Sequence, residues 1–294
     1  MEYILLPFKV AYRIYYFLLF AATLIILYPA FLYLLHTPDR YPYAFKLMRV
    51  FGWILLLFGG IIPRVKGRNN IPQKGGYIIC PNHSSFIDIP CLYTSFNRYF
   101  VFTGKKEIEK WPLFKIFYTS GMNILVDREN ANGSIKALKR MSRELDKGNP
   151  LAIFPEGTVS KTAPEMGEFK TGAFALAIQK QVPILPITFL TNWKRIQRKG
   201  LLKGKSGPGI SEIINHAPVD TMGYTKDRIE ELKNHVYSII NAPLKQLEKK
   251  EKLKMNKEFV ITTTESEPGT TSNIAITITQ YNKSESYNQK KFVS

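Results

Sequence analysis

The sequence predicts an α/β protein, a mixed β-sheet flanked by helices, preceded by an N-terminal hydrophobic helical membrane module. Three observations carry that expectation. An uncharged run of 22 residues, IYYFLLFAATLIILYPAFLYLL, extends from Ile14 to Leu35, flanked by Arg13 on one side and Asp39 and Arg40 on the other. Past Arg64 the chain alternates short apolar runs with charged stretches of helical spacing, the rhythm of strands and helices packed in layers. From about residue 255 it turns to Thr, Ser, Asn and Lys, too poor in apolar surface to order itself. The expected organisation is therefore a membrane-anchoring segment over residues 1–63, a globular domain over 64–250 and a polar, disordered tail over 251–294.

Taken in order, the Ile14–Leu35 run is long enough to cross a bilayer, which needs about 20 apolar residues. A cleaved signal peptide fits less well, because the run exceeds the usual apolar core of about 7–15 residues and no A-x-A site follows it. A second uncharged run, VFGWILLLFGGIIP from Val50 to Pro63, is short for a crossing. It reads as re-entrant or interfacial, with a buried core helix as the alternative. GYIIC (76–80), ILV (124–126), LAIF (151–154) and VPILPITFL (182–190) read as strands. Between them, residues 134–148 place Ile135, Leu138, Met141 and Leu145 at helical spacing before Gly148, a C-cap residue. GAFALAIQKQ (172–181) reads as a further helix, and residues 226–254 as a charged helix interrupted by Pro243. The alternation in IAITI (274–278) suits a strand only if something pairs with it.

The chain carries 41 Lys and Arg against 23 Asp and Glu, a formal net charge of +18. Most of the excess lies in the central part, so an acidic partner is expected: nucleic acid, anionic lipid or a phosphorylated substrate. The membrane run favours the lipid partners over nucleic acid. Cys80 and Cys91 have neither C-x-x-C spacing nor a neighbouring Cys/His cluster, which gives no metal site and points to free thiols in a reducing compartment.

The residues that invite chemistry start in NHSSFID, where His83 precedes Asp88 by five positions. Five residues of one straight helix turn about 500°, leaving the two side chains about 140° apart. They meet if His83 lies on the loop after a strand ended by Pro81 and Asp88 lies in the first turn of the next helix, with Ser84 or Ser85 as N-cap. The carboxylate then fixes one imidazole nitrogen and leaves the other as a general base. Spacing alone does not separate this from a structural histidine, since His216 stands four residues before Asp220 in a similar Asn-His pair. FPEGTVS (154–160) turns through Pro155 and Gly157, where backbone amides can face an anion. Lys105, Lys106 and Arg128 add positive charge nearby in sequence.

NHSSFID, KKEIEKWPLF, FPEGT and VPILPI, in this order, resemble the four blocks of the glycerolipid acyltransferase family, across roughly residues 45–245. The resemblance implies a membrane protein that moves an acyl chain from acyl-CoA or acyl-carrier protein to a lysophospholipid hydroxyl, above all that of 1-acylglycerol 3-phosphate. It implies no cofactor beyond the donor and a catalytic domain on the cytoplasmic side. His83 would be the base, Asp88 its orienting partner, and Glu156, Gly157 and Thr158 the block that holds the acceptor's glycerol phosphate. Lys105 or Lys106 would neutralise phosphate, and Pro183 and Pro186 would shape an apolar wall by the acyl chain. Many members carry arginine directly after EGT; here that position is Val159, with Lys161 and Lys170 as nearby cations. Glycerol 3-phosphate, another lysophospholipid or a lyso-aminolipid is thus an alternative acceptor.

Bland readings suffice for other residues. Cys80 ends an apolar strand and reads as a small hydrophobe rather than an acyl-enzyme nucleophile. His216 has no EGT or lysine context, and His36 and His235 suit interfacial or solvated roles. The lysines over 249–257 read as a solvated helix face. A non-catalytic, membrane-tethered protein that binds anionic lipid accounts for the charge and the anchor but not for four ordered blocks.

Overall fold

The computed structural model describes residues 6–127 and 130–257. The chain divides into two units, Met1–Leu244 and Lys245–Ser294. The first holds a seven-stranded sheet in the order β1-β7-β6-β2-β5-β3-β4. The strands are β1 (Ile61–Lys66), β2 (Ile78–Pro81), β3 (Val101–Lys105), β4 (Ile124–Val126), β5 (Leu151–Ala152), β6 (Ile184–Phe189) and β7 (Gly209–Asn215). Every neighbouring pair is parallel except β6 and β7, so the sheet is mixed, as the sequence predicts.

Helices cover both faces of the sheet. The alternation of a strand splits β2 between them: Ile79 joins the apolar cluster under α1 (Leu6–Leu34), α2 (Tyr41–Phe58) and α3 (Asp88–Ser95). Ile78 and Cys80 join the opposite one, since side chains of a strand point alternately to its two faces. Between β3 and β4 lies a short α4 (Ile116–Thr119), and α5 (Ala131–Asp146), α6 (Gly172–Lys180) and the part of α8 (Ile229–Lys257) up to residue 244 cover the second face, with a short α7 (Gly200–Lys203) preceding β7. α5 begins earlier than its apolar spacing predicts because Asn130 caps it, its side chain accepting from the amides of Asn132 and Gly133.

Three expectations need correction. The apolar run from Val50 to Pro63 is not one element: α2 ends at Phe58 and β1 starts at Ile61. Gly60 makes the join at φ +63°, and a Cβ there would lie 2.9 Å from Pro208, so a residue with a side chain would be both strained and crowded. The strand expected over 151–154 reduces to Leu151–Ala152, because Phe154 and Pro155 already belong to the site loop. Pro243 does not interrupt α8. It removes one backbone donor, while Leu232, Val236, Ile240 and Leu244 stay buried along one stripe at four-residue intervals and hold the helix to the core.

α1 carries apolar side chains on its solvent face as well. Phe8, Leu18, Ile25, Ile26 and Tyr33 are exposed, while Tyr16, Leu24 and Phe31 are buried against the domain. Two helical segments, Leu6–Leu34 and Pro38–Phe58, are long and apolar enough to cross a membrane. Arg13, expected to flank the membrane run, is instead buried and donates to the carbonyls of Gln197, Gly200 and Lys205. The second unit is described over Lys245–Lys257, the closing turns of α8, where Lys252 pairs with Glu248 one turn earlier. The rest of the expected tail, including IAITI, lies outside the described residues.

Candidate active site

β2 ends at Pro81, and Asn82 is locked to β6: its Oδ1 accepts the Phe189 amide at 2.7 Å and its Nδ2 donates to the Phe189 carbonyl at 3.3 Å. The next residue, His83, therefore leaves the sheet from a fixed point. Asp88 opens α3 as the spacing argument requires. The His83 Nδ1 lies 2.8 Å from Asp88 Oδ2, with the carboxylate fully buried and the imidazole about an eighth exposed.

Ser84 and Ser85 do not cap α3 with their side chains. The relation is inverted: Asp88 Oδ2 accepts the backbone N–H of Ser84 at 2.6 Å and of Ser85 at 2.8 Å. A carboxylate at a helix start reaches back to the loop amides and at the same time profits from the positive end of the helix. Its other oxygen, Oδ1, accepts from Asn192 Nδ2 at 2.8 Å, and Asn192 Oδ1 in turn accepts from Ser211. Both oxygens of Asp88 thus accept hydrogen bonds, Oδ2 from two loop amides and Oδ1 from Asn192. Because Asp88 Oδ2 serves as an acceptor in this cluster, His83 Nδ1 is the donor of the pair, and the Nε2 lone pair is the one available for a proton. The ring also stacks on Phe154, with centroids 4.0 Å apart.

The FPEGT turn is sewn to the same histidine. Glu156 Oε1 accepts the His83 amide and Oε2 the Gly167 amide, each at 2.7 Å, and the Ser160 amide donates to the His83 carbonyl at 2.8 Å. Burial pushes the Glu156 carboxyl up to about 7 against the pull of those two amides. Glu156 is expected from the motif to hold substrate, but both of its oxygens serve backbone amides; its geometry positions the histidine loop. The Gly157 amide, expected to face an anion, donates to the Phe154 carbonyl, and the glycine's φ of +71° is what closes the turn. Thr158 is exposed, and its Oγ1 accepts from Arg198.

Lys105 ends β3 and Lys106 pairs with Asp127 at 2.7 Å. Together with Lys110 and Lys170 they line a cavity of about 600 Å³. Lys170 connects it to the FPEGT turn, its amide donating to the Pro155 carbonyl. Arg128 lies outside the described residues. Pro183 and Pro186 flank and enter β6, where their carbonyls accept the amides of Ile78 and His216, so they serve the sheet. Lys161 is exposed.

Cys80 and His216 sit in structural surroundings. The Cys80 thiol is fully buried and its pKa is raised by that burial, which leaves it a poor nucleophile. His216 does not meet Asp220. Its Nε2 lies 2.8 Å from Thr188 Oγ1, Asp220 accepts from the Met222 amide, and burial lowers the imidazole's pKa.

Comparison with known proteins gives the family. Residues 62–190 match the family model described as Acyltransferase. The 1-acyl-sn-glycerol-3-phosphate acyltransferase of Haemophilus influenzae is 30% identical over 205 residues, covering 68% of this chain and 81% of that protein. This chain belongs to the acyltransferase family. The acyltransferase is also 28% identical over 219 residues to the 1-acyl-sn-glycerol-3-phosphate acyltransferase of Escherichia coli, covering 74% of the chain and 86% of the relative. Its fold matches the crystal structure of the 1-acyl-sn-glycerophosphate acyltransferase from Thermotoga maritima with a TM-score of 0.69, at 22% identity, over 84% of this chain and 98% of that one. Two residues that bond to motif residues, Asn192 and Arg198, escape the sequence reading. Neither lies in a motif, and their partners Asp88 and Thr158 are 104 and 40 residues away.

Proposed function

We propose that this acyltransferase moves a fatty acyl group from an acyl-CoA or acyl-carrier-protein thioester to the free hydroxyl of 1-acylglycerol 3-phosphate, producing phosphatidate. The observation that carries the reading is the His83–Asp88 pair, with Nδ1 committed to a carboxylate whose two oxygens both accept hydrogen bonds. The names of the relatives supply the acceptor.

In this reading His83 Nε2 takes the proton of the acceptor hydroxyl as its oxygen attacks the thioester carbonyl. The tetrahedral intermediate collapses, the C–S bond breaks, and the leaving thiolate takes the proton back from His83. Atoms and charge balance without a protein nucleophile, and the buried Cys80 fits that role poorly. Asp88 stabilises the transient imidazolium and holds its tautomer, as an orienting carboxylate does elsewhere. The adjoining cavity is lined by Lys105, Lys106, Lys110 and Lys170 against Glu107, Glu109 and Asp127, with Lys106 paired to Asp127, which leaves Lys105, Lys110 and Lys170 as its cations for substrate phosphates.

The exposed apolar face of α1 supports a membrane-embedded N-terminal module, which brings the site to its lipid substrates. The free thiols Cys80 and Cys91 accord with a catalytic domain on the cytoplasmic side. The test is thiol release from acyl-CoA and acyl-carrier protein against a panel of lysolipids and glycerol 3-phosphate, with products identified by mass spectrometry. Phosphatidate from 1-acylglycerol 3-phosphate as the fastest product is the expected result. Preferred transfer to another acceptor contradicts the reading.

A further inference from the structure

One cation reaches the FPEGT turn from a distant part of the chain. Arg198 Nη1 donates to Thr158 Oγ1 at 2.6 Å, with both residues exposed. The neighbouring Val159 is 8% exposed and carries no charge. Because Glu156 and Ser160 both bond to the backbone of His83, the turn that meets Arg198 is fastened to the histidine on either side of Thr158.

The segment that delivers Arg198 is held still. Gln197, 2% exposed, donates from Nε2 to the Ala163 carbonyl at 3.0 Å and accepts the Lys205 amide at 3.1 Å. Arg13, reaching across from α1, donates to the carbonyl of Gln197 at 2.9 Å and of Lys205 at 3.2 Å, and to Gly200. The backbone on each side of Arg198 is pinned while its side chain is left in solvent. From Lys194 to Lys205 the sequence has six cations and no acidic residue.

A threonine hydroxyl engages one of the five N–H donors of a guanidinium. The planar fork that remains matches an acceptor with several oxygens, and phosphate is the strongest such match. A donor pre-positioned by its backbone loses less freedom on binding.

We propose that Arg198 grips the phosphate of the acceptor lysolipid and determines its selection; this rests on the acceptor reading given above. It supplies from a remote loop the cation that Val159 does not offer. The test uses the full-length protein in phosphatidylcholine vesicles, as wild type, Arg198→Ala and Arg198→Lys. Initial rates are measured against 1-acylglycerol 3-phosphate at saturating acyl-CoA, and the reverse. Arg198→Ala is expected to raise the acceptor KM by about tenfold or more, the scale of one charge-assisted phosphate contact, with the donor KM unchanged and Arg198→Lys recovering part of the loss. An unchanged acceptor KM in Arg198→Ala overturns the proposal. So does a parallel rise in both KM values together with loss of binding to anionic vesicles, which would make Arg198 a membrane contact. If Arg198→Ala melts early, the same comparison on Arg198→Lys decides, because that variant keeps the charge and loses only the fork. No transfer to 1-acylglycerol 3-phosphate by the wild type overturns the acceptor reading and this proposal with it, whereas wild-type transfer with an indifferent Arg198 overturns the proposal alone.

Discussion

Glu156 Oε1 accepts the backbone N–H of His83 at 2.7 Å, so a glutamate 73 residues away helps to set the path of the His83 loop. The EGT glutamate thereby acts on the histidine's backbone, through a bond that a neutral amide cannot reproduce at both of its ends.

Glu156→Gln leaves one of the two amides, His83 or Gly167, facing an NH2 group. Loss of about 1–3 kcal/mol of stability is expected for the orphaned donor, with a fall in kcat as the His83 loop loosens. The pH dependence is also specific. The wild-type carboxyl is raised from 4.5 to about 7 by burial, so the folded protein binds more protons than the unfolded chain between those values. Its contribution is fully present below pH 4.5, declines by ~3 kcal/mol as pH rises through the window, and is flat above it. Urea melts of wild type and Glu156→Gln across pH 4–8 isolate the effect as a difference. A difference that does not change with pH contradicts it.

Asn192→Ala removes the partner of Asp88 Oδ1 within a fully buried pair. Stability is expected to fall by about 1–3 kcal/mol. Because the carboxylate that orients His83 loses a constraint, kcat falls while both KM values hold. Denaturant melts and steady-state kinetics on the same preparation check this, and an unchanged kcat in the folded variant would restrict Asn192 to a structural role.

Cys80→Ala tests the absence of an acyl-enzyme. The thiol packs on the face shared by α5, α6 and α8, so its loss costs about 1 kcal/mol of stability. Acyl transfer is expected at the wild-type kcat. A loss of activity in the folded variant, or a thioester adduct on Cys80 trapped with acyl-CoA, contradicts direct transfer.

Two of the four blocks were legible as clusters because their residues stand within a few positions of one another: His83 with Asp88, which the structure brings to 2.8 Å, and Glu156 with Gly157 and Thr158, which it places in one turn. What stayed illegible was long-range. Asn192 and Arg198 act through tertiary contacts that no spacing encodes, and Arg13 reads as a membrane flank until the segment from Gln197 to Lys205 folds over it. In the fold, β1 was hidden because IIPRVK continues an apolar run and contains a proline, the residue that argues against a strand. Pro63 sits in β1 at the edge of the sheet, where a missing amide is tolerated. The alternation in β7, GISEIIN, suits a strand with its two faces in different surroundings.

The central claim is that His83 is the base for direct transfer to the acceptor hydroxyl. It is tested most directly by single-turnover acyl transfer from acyl-CoA to 1-acylglycerol 3-phosphate with wild type and His83→Ala, each shown to be folded by its melt. A general base contributes roughly 100- to 10,000-fold, so His83→Ala is expected to lose at least about a hundredfold in rate while keeping its fold. Transfer by folded His83→Ala at the wild-type rate would contradict the account.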